Sequence, residues 1–69
     1  MNETVKVING VEIIFGEKVL FMNEMRNAFL YAYIIKNGEM VKHGVWKEEE
    51  YTEDKLVEFV EQYKNESIK

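Results

Sequence analysis

The sequence predicts an α+β domain: a five-stranded antiparallel β-meander, made of two Asn-Gly hairpins and a linking strand, with one C-terminal α-helix packed on a sheet face. Three observations predict it. Asn9-Gly10 and Asn37-Gly38 each lie between runs rich in β-branched and aromatic residues. FGEKVLFMN, Phe15 to Asn23, offers a short strand between those hairpins. From Thr52 onward the apolar period changes from that of a strand to that of a helix.

The first hairpin reads TVKVI-NG-VEIIF, with strands at 3–8 and 11–15. A two-residue type I′ turn needs positive φ at both central positions, which Asn and Gly tolerate best. This turn sets Ile8 opposite Val11 and Lys6 opposite Ile13. A turn at Gly16 and Glu17 then leads into the linking strand, 18–22. The second hairpin, strands 28–36 and 39–47 about Asn37-Gly38, sets Lys36 opposite Glu39, Ile34 opposite Val41, Ala32 opposite His43 and Leu30 opposite Val45. Its competitor is a helix over 23–33, capped by Asn23, with Met25, Ala28, Phe29 and Ala32 on one side. The strand-forming run Phe29, Tyr31, Tyr33, Ile34 and Ile35 favours the hairpin.

A helix over 53–65 follows. Leu56, Phe59, Val60 and Tyr63 recur at i, i+3, i+4 and i+7, Thr52 suits the N-cap, and Tyr51 can staple onto Leu56. Glu53 and Asp54 fall in the first turn and Lys64 near the last, each complementing the helix dipole.

Strict alternation divides the second hairpin into two faces. Leu30, Ala32, Ile34, Val41, His43 and Val45 form one; Phe29, Tyr31, Tyr33, Ile35, Met40, Lys42 and Trp46 form the other. Both are substantially apolar, and a single helix covers one face of a sheet. The helix is expected on the Leu30 face, leaving Phe29, Tyr31, Tyr33, Lys42 and Trp46 as an interface for a second subunit in a homodimer or for a different partner.

Composition excludes several chemistries. The chain has 69 residues and no cysteine, which rules out disulfides, thiolate metal sites and cysteine nucleophiles. Ser67 is the sole serine and His43 the sole histidine, so no catalytic triad can be argued. Glycines stand singly at 10, 16, 38 and 44, without a phosphate-cradling loop. The expectation is no enzyme, no cofactor and no metal. No apolar run reaches the roughly 20 residues needed to span a bilayer, and the start lacks the pattern of a signal peptide. A cytoplasmic protein without membrane association is expected.

Charge is the remaining signal. Residues 1–46 hold five acids and five bases, whereas residues 47–69 hold eight acids and four bases, so the net charge of −4 belongs to the C-terminal third. Such a surface repels phosphate backbones and attracts basic partners. Glu48, Glu49 and Glu50 precede the helix cap, and Asp54, Glu58 and Glu61 follow one another along its outer face. These six residues are the candidate contacts with a basic protein surface. The function expected is a non-catalytic protein-binding module, a small acidic inhibitor or regulator. The alternative is single-stranded nucleic acid stacked on the aromatic sheet face, which the lack of basic flanks disfavours.

Overall fold

The computed structural model describes residues 3–67, and the side chains of 3–66. Among the described residues there are four strands and one helix: β1 (Glu3–Ile8), β2 (Val11–Met22), β3 (Met25–Lys36), β4 (Glu39–Lys47) and α1 (Glu53–Ser67). The strands form one antiparallel sheet in the order β1-β2-β3-β4. The five-stranded expectation is therefore corrected to a four-stranded meander. The segments expected at 11–15 and 18–22 are one strand, because Gly16 and Glu17 make no turn. They pair straight through, Gly16 with Tyr31 and Glu17 with Leu30.

Gly16 is needed for a different reason. A Cβ built there would lie 2.5 Å from the hydroxyl of Tyr31, so the glycine clears a path for that ring across the sheet. The reversal comes instead at Asn23 and Glu24, with φ of 51° and 67°. Both residues adopt the left-handed conformation of a type I′ turn although neither is glycine. The 23–33 segment is accordingly strand from Met25, and the helical alternative is excluded.

The two Asn-Gly turns behave as their chemistry requires: Asn9 and Asn37 have φ of 50° and 55°, and the glycine after each has φ of 80°. In the first hairpin Ile8 faces Val11 and Lys6 faces Ile13, as expected from the turn. In the second, Lys36 faces Glu39, but the register then slips by one between Ile34 and Ile35. Val41 is the extra residue of a β-bulge. Beyond it Ile34 faces Lys42, Ala32 faces Gly44, Tyr33 faces His43, Tyr31 faces Val45 and Leu30 faces Trp46.

A one-residue slip sends every later side chain to the opposite face. His43 and Val45, expected beneath the helix, lie with Tyr31 and Tyr33. Lys42 and Trp46, expected on the Tyr31 face, lie beneath the helix. Gly44 joins them there, where a Cβ would come within 3.0 Å of the Phe59 ring.

The helix does cover the Leu30 face. Leu56, Phe59 and Val60 are buried against Ile13, Ala32 and Ile34. Full burial of a side chain such as Leu56 contributes about 2 kcal/mol. An aromatic chain closes the sides of this core. Phe15 meets Tyr51 at 5.3 Å between ring centroids, Tyr51 meets Trp46 at 5.8 Å, and Trp46 meets Phe59 edge-on at 5.7 Å. The helix is anchored at both edges by polar contacts: Asn9 Nδ2 donates to Glu61 at 2.8 Å, Lys64 Nζ donates to the Asn9 carbonyl at 2.9 Å, and Lys42 pairs with Glu66 at 3.1 Å.

Among the described residues, β1 reaches as far as Gly16 of β2 and β4 as far as Phe29 of β3. The β2–β3 hairpin therefore continues past the sheet as a two-stranded ribbon. Twelve-residue strands account for most of the 45 Å long axis.

Candidate functional site

The uncovered sheet face is organised in cross-strand rows. One row is Val5–Ile14–Tyr33–His43, the next is Glu3–Gly16–Tyr31–Val45, and the third is Lys18–Phe29–Lys47. Alternation along each strand places Val7 and Glu12 on β1 and β2 beyond the first row, with Ile35 and Met40 on β3 and β4. Leu20, Met22 and Met25 continue the same face onto the ribbon.

Exposure singles out this face. Among the described residues, eleven large hydrophobic side chains are exposed. Val5, Val7, Leu20, Met22, Met25, Ile35, Met40 and Val45 belong to the open face; Phe21, Val41 and Val57 do not. Val5 and Val7 are each 65% exposed and Val45 is 52% exposed. Tyr31, Tyr33 and neighbours from all four strands line a shallow trough of ≈ 850 Å³ there.

Three polar side chains of the trough, Tyr31, Tyr33 and Glu3, bond one another. Tyr31 and Tyr33 stack in parallel, 7° apart, with 6.2 Å between centroids. Both donate their hydroxyls to Glu3 Oε2, at 2.5 Å and 3.4 Å. That hydrogen bond to Glu3, joined by desolvation and the charge of the carboxylate, pushes the Tyr31 hydroxyl up to about 12. Desolvation first, then Glu3, raises Tyr33 as well. Both phenols are therefore held as neutral donors, the opposite of an activated nucleophile.

Of the expected interface residues, Phe29, Tyr31 and Tyr33 share the open face, while Lys42 and Trp46 do not. Lys42 is nearly covered, reaching along the Phe59 ring to Glu66, and Trp46 packs between Tyr51 and Phe59. His43 and Val45 take their places, which only the bulge at Val41 could reveal.

The acidic residues lie away from this face. Glu48 pairs with Arg26 at 3.3 Å, and its backbone amide donates to the Ala28 carbonyl, so it pins the 48–50 turn to the start of β3. Glu61 is engaged by Asn9, and Glu53 by Lys6 at 3.4 Å and by the Tyr51 hydroxyl. Burial, then Glu53, pushes the Tyr51 hydroxyl up to about 12. Glu49, Glu50, Asp54 and Glu58 are exposed. The structure thus splits the six acids expected to act together: two serve as internal tethers and four face solvent. No group of three or more His, Cys, Asp or Glu side chains among the described residues is arranged to hold a metal ion. No helix among them is long and apolar enough to cross a membrane.

Comparisons with models of protein families, with curated proteins and with solved structures gave no match.

Proposed function

We propose that this chain is a non-catalytic protein-binding module whose docking surface is the open sheet face. The concentration of eight of the eleven exposed large hydrophobic residues on that one face carries the reading. Protein partners bury such surface in well-packed contacts centred on aromatic side chains, and Tyr31, Tyr33 and Phe29 lie in the middle strand positions of the patch.

The reading includes a second contact. Glu49, Glu50, Asp54 and Glu58 lie off the docking face, so a partner seated on the sheet leaves them turned outward toward a basic protein surface. The cysteine-free composition fits action in the cytoplasm.

Single-stranded nucleic acid is the competing occupant, since Phe29 stands between Lys18 and Lys47. Two carboxylates on the same face, Glu3 and Glu12, oppose it.

A photo-crosslinking amino acid placed at Val45, with Val41, which lies off both surfaces, as the control position, tests the class of partner in cells. Protein adducts, either with another protein or with the chain itself, are expected from position 45 and not from 41. Nucleic-acid adducts at 45, or none, would sink the reading.

A further inference from the structure

Resting on that protein-binding reading, we infer that the occupant of the open face is a second copy of this chain, packed face to face about a two-fold axis that runs across the strands. Charge is the first argument. The open face, described from Glu3 onward, carries Glu3 and Glu12 against Lys18 and Lys47, so it is neutral although the protein as a whole has a net charge of −4. The excess negative charge lies on the helix and the turn before it. Two open faces can therefore approach without the repulsion that would separate two copies meeting through their helices.

The arrangement of these charges selects the axis. The two lysines share the Lys18–Phe29–Lys47 row, and Glu12 lies on the same strand as Lys18, beyond the Tyr31 and Tyr33 rows. A two-fold parallel to the strands keeps each row over its own copy, so the row of Lys18 and Lys47 meets itself and no carboxylate. A two-fold across the strands, between the Tyr31 and Tyr33 rows, reverses the rows instead. It brings Lys18 over Glu12 of the second copy, and by symmetry Glu12 over its Lys18.

The same operation places the Tyr31–Tyr33 pair of one copy over that of the other and Ile14 over the Gly16 position, which the Tyr31 ring covers. Sheets packed this way keep their strands within about 30° of alignment, which the row correspondence tolerates. Burial of the two central rings is permitted because their hydroxyls are already paired: Tyr31 and Tyr33 both donate to Glu3 within one chain.

Sedimentation equilibrium on the full chain tests the inference, with circular dichroism to establish that each variant is folded. A dimer is expected, and Val45→Glu should shift it to monomer while Val57→Glu leaves it unchanged. Lys18→Glu and Glu12→Lys should each weaken the dimer by about tenfold, since each puts two like charges face to face, and the double variant K18E/E12K should recover most of that loss. A monomer up to about 1 mM, or a dimer indifferent to Val45→Glu, would overturn it. Failure of the double variant to recover the dimer would overturn the axis. A monomer that still crosslinks to another protein through position 45 would remove the second copy and leave the protein-binding reading standing.

Discussion

Tyr31 reaches Glu3 across an intervening strand, its hydroxyl donating to the carboxylate directly above Gly16. The three residues share one cross-strand row, and the contact exists because the middle member has no side chain. This links the extended path of β2 to the open face: Gly16 both lets the strand continue and lets the tyrosine lie flat.

Gly16→Ala should therefore displace the Tyr31 ring, because the added Cβ would lie 2.5 Å from its hydroxyl and 2.6 Å from the adjoining ring carbon. A loss of about 1–3 kcal/mol in denaturant unfolding is expected, as for other overpacked sites. The Tyr31 phenol should also titrate closer to its ordinary value of 10.0 once it leaves Glu3. Ultraviolet titration of the tyrosines checks the second point independently of the first.

Alkaline pH should expose the same contacts. Tyr31 and Tyr51 hold their protons up to about 12 in the folded chain, against 10.0 for an unhindered phenol. The folded state thus binds these protons more tightly than the unfolded one. The stability this brings is complete below pH 10 and disappears as pH rises through 12. Chemical unfolding measured across that interval should show the decline, and Tyr31→Phe should make it shallower.

The ribbon turn offers a gain. Glu24 adopts φ of 67° without being glycine, a conformation that costs an L-residue about 1 kcal/mol. Glu24→Gly creates a third Asn-Gly turn and should raise stability by about 1 kcal/mol. An unchanged or lower denaturation midpoint would contradict the account of the turn.

Deleting Val41 should be far more damaging than replacing it. The deletion removes the bulge and swings Lys42, Gly44 and Trp46 away from the helix, replacing them beneath Phe59 with His43 and Val45. Loss of cooperative unfolding is the expected result. Val41→Thr, at a position 45% exposed, should unfold within about 0.5 kcal/mol of the parent.

Much of the architecture was legible along the chain. The Asn-Gly turns announced two hairpins because their backbone requirement is local, and the stripe Leu56, Phe59, Val60 and Tyr63 announced the helix because its period is local too. The turn at Asn23-Glu24 escaped since neither residue is glycine, and Gly16 drew the turn to itself since glycine in a strand carries the same letter as glycine in a loop. The candidate interface was half legible for a related reason. Phe29, Tyr31 and Tyr33 precede the bulge in the pairing and kept their face, whereas Lys42 and Trp46 follow it on β4 and exchanged places with His43 and Val45.

The sequence by itself determined the element types, the first hairpin's register, the helix limits near Glu53 and the apolar character of both sheet faces. Each follows from backbone preference or from periodicity within a few residues. Only the tertiary structure decided which side chains the helix buries, which acids become tethers and which face stays open. Those outcomes depend on the bulge at Val41 and on contacts such as Asn9 with Glu61, where the partners are distant in sequence and local preference says nothing. Packing against the helix selects the register that places Gly44 under Phe59 and Trp46 beside it, because that register leaves room for the rings.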